Sequence, residues 1–288
     1  MTAATVGAPI GPDRIWGAWT FDPLVVLTLL GSAALYAAGF RRLRGHGRAP
    51  GRAMTFGAAL FASVIALVSP LDAMAQATFS AHMVQHLVLI VVVAPLLVVS
   101  RPVRTILAGL PRRARRQVAR TAAELAGSRL AKALRRPAVA WAVFAIALWG
   151  WHLPAMYDAA VLDPSLHALE HLTFLGTSVL TWAVALDPRR REGLAPLGRA
   201  LFLLACGLQS GLLGALLLFA PTPLYPVHGA GPALWGLTPL RDQQLAGAIM
   251  WVPPSAVYLV VAVVLLVRWF RWMDARSAAE AVRTEAAA

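Results

Sequence analysis

Seven apolar stretches divide this chain: Asp22 to Phe40, Met54 to Ser69, Ser80 to Val99, Pro137 to Trp151, His167 to Leu186, Ala200 to Phe219 and Gln244 to Phe270. A hydrocarbon core ~30 Å thick takes about twenty such residues at ~1.5 Å of helical rise each. The second and fourth stretches are the shortest candidates. Lipid offers the backbone no hydrogen bonds, so a spanning segment is either a helix or a strand of a closed barrel. These runs lack the apolar–polar alternation of barrel strands. The expected fold is all-α, a polytopic membrane bundle of seven transmembrane helices. Hydrophobic residues make up 59% of the 288 and charged ones 14%. That composition puts the length into one bundle with short loops rather than into soluble domains. The expected division is an external tail at 1–21, a seven-helix transmembrane domain at 22–270 and a cytoplasmic tail at 271–288.

A net charge of +13 would point a soluble chain toward nucleic acid. The distribution of that charge points elsewhere. Of the 26 Lys and Arg residues, only Arg14 and Arg241 fall outside the segments 41–53, 101–137, 187–199 and the tail from Arg268. Alternate loops therefore carry the positive charge, as cytoplasmic loops do. The N-terminus is expected outside and the C-terminus in the cytoplasm, which requires an odd number of spans. No aromatic residue interleaves with the arginines of 101–137, so nucleic acid is not an expected partner. That stretch reads as a topology anchor or a short amphipathic helix on the inner leaflet. The first twenty residues lack the basic and apolar regions of a cleavable signal peptide. Trp16 and Trp19 suit the outer interface.

This orientation brings most of the chain's seven histidines to one side. His82 and His86 open the third span, His152 closes the fourth, and His167 and His171 open the fifth beside Glu170. His228 falls in an external loop, and His46 in a basic inner loop reads as solvated. Asp242 opens the seventh span, with Met250 about two turns deeper. Imidazoles inside a membrane are costly and mark a site. Residues four apart share a helix face, so both rings of either pair can reach one ion. Neutral imidazole suits copper, zinc, iron and nickel, and thioethers at Met83, Met156 or Met250 would bias a site toward Cu(I).

Plainer readings stand beside these. A single such histidine is also an interhelical hydrogen bonder, and each methionine a packing residue. Glu170 and Asp242 are ligands or acceptors that orient the rings, and Asp242 is equally a cap for its own helix. Tyr157 reads as an interfacial anchor. Cys206 reads as a small buried residue, and as a lone cysteine it forms no internal disulfide. Gly207, Gly211 and Gly214 allow the sixth span close packing, with Gln209 and Ser210 bonding across helices. Pro253 and Pro254 are expected to kink or open the seventh. A haem between the third and fifth spans is the alternative use of the histidines. A transporter ranks last, because the inner halves of the spans lack a polar path. No nucleophile–base set or phosphate loop is evident, so turnover chemistry is not expected.

Four motifs in order carry a resemblance: HMVQH at 82–86, WHLPAMY at 151–157, HALEHLTF at 167–174 and DQQLAGAIMWVP at 242–253. Together they resemble the CtaG family, the polytopic bacterial assembly factors of cytochrome c oxidase. The resemblance implies seven spans in the bacterial cytoplasmic membrane and a role in forming the copper B centre of a haem–copper oxidase. It implies copper as the bound metal, with Cu(I) the form the thioethers favour, an oxidase subunit as partner and a copper donor protein. It places His82, His86, His152, His167, His171 and Asp242 in the family's motifs. Ala246 and Pro254 depart from a more glycine-rich last motif. Some relatives resemble fusions to a copper-resistance membrane domain, which is not expected within these 288 residues.

Overall fold

The computed structural model describes residues 10–43, 50–186 and 195–287, with side chains except at 278–282 and 284–287. Its regular elements are all helices. Besides three short 3-10 turns, they are α1 (Pro23–Arg42), α2 (Pro50–Leu67), α3 (Pro70–Ala77), α4 (Phe79–Ser100), α5 (Val103–Gly109), α6 (Arg112–Gly127), α7 (Arg129–Leu134), α8 (Pro137–Trp151), α9 (Pro154–Leu162), α10 (Pro164–Leu186), α11 (Pro196–Phe219) and α12 (Pro239–Ala287). Six of them, α1, α2, α4, α10, α11 and α12, are long and apolar enough to cross a membrane. The pair α8 and α9 counts as a seventh if its two arms form one span, and these arms meet at 74°. His46, Arg44, Arg48 and Arg189 to Arg191 lie outside the described residues.

Proline at the first helical position punctuates the chain. Pro23, Pro70, Pro137, Pro154 and Pro196 all open helices, where the missing N–H costs nothing and φ is already helical. Pro154 also explains the bend. Its ring forces the preceding residue out of the helical region, and Leu153 accordingly has ψ 130°. His152 is left at the exact corner between the two arms. The sequence reading had no helix at α3. The structure has one, opened by Ser69, whose Oγ accepts from the Leu71 N–H at 3.2 Å.

The basic stretch forms α5, α6 and α7, and α6 buries none of its residues, in line with a surface helix. α12 runs through Pro253 and Pro254 without a break, and it continues past the expected end at Phe270 to Ala287. A proline inside a membrane helix is tolerated where small local adjustments and neighbouring helices satisfy the freed carbonyls.

The small residues of α11 act as the spacing suggested. Gly207 faces the Tyr258 ring and Gly211 the Trp251 ring, while Gly214 meets the α12 backbone at Gly247. A Cβ on Gly247 would lie 2.5 Å from the Leu218 nitrogen, so only glycine lets the two backbones approach this closely. Gln209 accepts from Trp149 Nε1 at 2.9 Å and ties α11 to α8. Cys206 is fully buried.

α4 is not a uniform helix. A π-helical turn, Val88–Val93, separates Phe79–Leu87 from Ala94–Ser100. Such a turn leaves carbonyls poorly bonded along the helix. Trp182 Nε1 of α10 donates to the Ile90 carbonyl at 2.8 Å. Leu89 and Val93 pack against Ala62 and Ala66 of α2. The histidine-bearing end of α4 packs on α3 and α12 and points its imidazoles at those of α10.

Candidate metal centre

The two i,i+4 pairs face each other across the α4–α10 contact. Ring centroids are 4.3 Å apart for His82 and His86 and 4.2 Å for His167 and His171. Across the interface, His82 lies 5.2 Å from His167 and His86 lies 5.2 Å from His171. Glu170, fully buried, reaches between them. Its Oε2 is 3.6 Å from His82 Nε2 and 3.7 Å from His86 Nε2. One donor atom each from His82, His86, His167 and Glu170 lie within 4.8 Å of one another.

These separations discriminate between two kinds of contact. A charge-assisted hydrogen bond closes to ~2.7–2.9 Å. Two donors each ~2.0–2.1 Å from a shared ion stand about 3.4 Å apart at tetrahedral angles and about 4.1 Å when opposed. The 3.6 and 3.7 Å spacings fall in the second range. Hydrogen-bond accounting agrees. His82 Nε2, both nitrogens of His86, His167 Nε2, His171 Nε2 and both oxygens of Glu170 are buried with no hydrogen-bond partner among the described residues. Buried polar atoms are almost always paired, so a concentration of orphans here fits a cation. His82 is already oriented for one. Its Nδ1 lies 3.3 Å from the Ala75 carbonyl, which can only accept, so the neutral ring carries its proton there. Nε2 then turns a lone pair toward Glu170.

The remaining sequence candidates divide. His171 flanks His86 and His167 but is not one of the four converging donors. His152 stands apart: Nδ1 is 2.7 Å from the Leu148 carbonyl and Nε2 is 3.3 Å from Met83 Sδ. Met250 borders the same small cavity as Met83, His86 and His152. Met156 is 42% exposed and takes no part. Asp242 serves another helix than its own. Its two oxygens accept from the backbone N–H groups of Phe79 at 2.7 Å and Ser80 at 3.0 Å. These N–H groups at the α4 N-terminus have no partner within the helix. Asp242 therefore fixes the start of α4 and, with it, the His82 face.

Tyr157 requires a correction, since it is fully buried rather than interfacial. Its ring lies 5.1 Å from that of His82, and its hydroxyl is 2.7 Å from His228 Nε2. His228 Nδ1 faces the Gln76 carbonyl at 3.2 Å, so Nε2 accepts from the tyrosine. Burial, with His82 nearby as a lesser cause, holds His228 down to about 4 and keeps it neutral. Tyr225 donates to the His152 carbonyl at 2.7 Å. The 220–238 segment thus seals the histidine end of the bundle. The sequence reading placed His228 only in a loop and missed Tyr225. A histidine and a tyrosine between helices were the available signal, but their partners are distant in sequence.

Together, apolar membrane-length helices and a buried imidazole–carboxylate cluster at one end define a polytopic helical membrane protein with a site suited to a cation. Residues 34–272 match the family model of the cytochrome c oxidase caa3 assembly factor, and the chain belongs to that family. It is also 29% identical over 270 residues to uncharacterized proteins of Mycobacterium bovis and Mycobacterium tuberculosis. Those matches cover 90% of this chain but 40% of each relative, so the chain spans less than half the length of the curated proteins it resembles. No solved structure matches it.

Proposed function

We propose that this chain carries copper, as Cu(I), in the His82–His86–His167–Glu170 cluster and delivers it to a haem–copper oxidase subunit while the copper B centre forms. The convergence of orphaned donors carries this reading. The family supplies the assembly context. Charge favours the monovalent ion: three neutral imidazoles and one carboxylate with Cu(I) sum to zero, whereas a divalent ion leaves a buried positive charge, which is costly. The donor set contains no thiolate, which suits a carrier that must release its cargo to a tighter site. Imidazoles packed 4.2–5.2 Å apart beside a cavity of about 40 Å³ suit an ion better than a macrocycle. His171 supports the ligand rings, copper is cargo rather than a catalyst's resident group, and a donor protein supplies it.

The cluster is proposed to face the outer side of the bacterial cytoplasmic membrane, with 22–270 as the membrane unit, 1–21 external and 271–288 cytoplasmic. The segregation of basic residues supports this orientation. A reporter fused after Arg136 should therefore read cytoplasm, and one inserted at Gly229 the outer compartment. The reverse pattern would put the cluster on the wrong side and end the delivery mechanism.

The functional test is a deletion strain. Its oxidase should retain polypeptide and haem but lose most copper at the binuclear centre, with activity falling in proportion. A His82→Ala strain should behave the same way. Normal oxidase copper in that strain would make the cluster structural.

A further inference from the structure

We infer that a second, softer Cu(I) station, built from Met83 Sδ, His152 Nε2 and Met250, lies beside the imidazole–carboxylate cluster, with His86 between the two. The inference rests on the copper reading above and adds a separate binding position with sulfur donors.

The contact between His152 and Met83 is the primary observation. His152 sits at the corner between α8 and α9, and its Nδ1 is 2.7 Å from the Leu148 carbonyl. That oxygen can only accept, so the proton of the neutral ring is on Nδ1 and Nε2 presents a lone pair. The lone pair faces Met83 Sδ at 3.3 Å. A thioether has no proton to offer, so no conventional hydrogen bond joins the two atoms. An ion ~2.0 Å from nitrogen and ~2.3 Å from sulfur would hold them about 3.3 Å apart at an angle of roughly 100°. The pair therefore has ligand spacing as it stands.

The surroundings complete a station. Met83 is 1% exposed and adjoins His82 on α4. Met83, His86, His152 and Met250 border a cavity of about 40 Å³, room for about one or two small species and no more. The rest of its lining is largely apolar, which leaves an entering ion few oxygen ligands. Thioether with imidazole selects Cu(I), whereas carboxylate with imidazole also accepts zinc. His86 lies between the two positions. It borders this cavity, its Nε2 faces Glu170, and neither nitrogen has a hydrogen-bond partner among the described residues. An ion passing between an occupied and an empty station would meet His86 on the way. The softer station confers discrimination against zinc, and the carboxylate cluster holds the ion.

X-ray absorption and metal counting on the purified full chain test this. Wild type loaded anaerobically with Cu(I) should bind two ions per chain and show sulfur scattering at ~2.3 Å. Met83→Leu and Met250→Leu, conservative in volume, should each reduce Cu(I) toward one ion and diminish the sulfur signal. Both should leave zinc binding at the cluster unchanged, which also reports that the variants are folded. Copper bound through nitrogen and oxygen alone, or sulfur scattering unchanged when Met83→Leu and Met250→Leu are combined, would overturn the second station while leaving the first intact. Wild type that binds no copper would overturn both.

Discussion

Glu170→Gln is expected to abolish copper retention at the imidazole–carboxylate cluster, lowering that site's affinity by at least ~100-fold, beyond the ~10–100-fold typical for loss of a group that merely supports a ligand. The carboxylate is the only anionic donor among the four, and its Oε2 is the atom that approaches both α4 imidazoles. The amide keeps the shape but removes the charge that balances the ion. His86→Ala should be as severe, and the Glu170→Gln/His86→Ala pair only slightly worse than either change, because ligands of one site do not contribute additively. His171→Ala should cost distinctly less, since His171 lies outside the four converging donors. Competitive titration against a Cu(I) chelator measures all four. Wild-type affinity in Glu170→Gln, or equal losses for His86 and His171, would mean that the ion sits elsewhere.

Asp242→Ala should damage the fold rather than the ligand set. It strands two buried N–H groups, those of Phe79 and Ser80, at ~1–3 kcal/mol each. The sum is a substantial share of the ~5–15 kcal/mol that holds a typical domain together. Thermal unfolding in detergent should show a large drop for the alanine variant and partial recovery for Asp242→Asn, which keeps one acceptor. Metal binding should fall only as far as unfolding does. An unchanged melting temperature in the alanine variant would remove the capping role.

The membrane-length helices were legible because apolar length is a local property. So were the two histidine pairs, since spacing on a helix fixes a shared face. Glu170 was legible too, three residues after His167 and on the same side. The corner at His152 was marked by Pro154, although the apolar run alone gave no angle. α3 carried its own signature, Ser69 followed by Pro70 and Asp72, but it is too short and too mixed in polarity for a pattern tuned to long runs. Asp242 was misjudged for a different reason. A carboxylate at a helix start is equally suited to its own helix or a neighbour's, and only the packing of α12 on α4 decides. Tyr157 and His228 were separated by the same kind of gap: their contact spans 71 residues, and no periodicity reaches that far.

The π turn in α4 means that the helix changes phase partway along its length. One residue turns an α-helix by ~100°, so a single added residue sets the phase of the segment bearing His82 and His86 apart from that of the segment beyond it, which packs between α2 and α10. A chain shortened by one residue between Val88 and Val93 would retain every motif and nearly the same hydropathy profile. It would also aim its imidazoles at a different neighbour. Trp182, whose indole takes up the Ile90 carbonyl, is thus the residue on α10 that keeps the two helices in step, some three turns away from the nearest donor it serves.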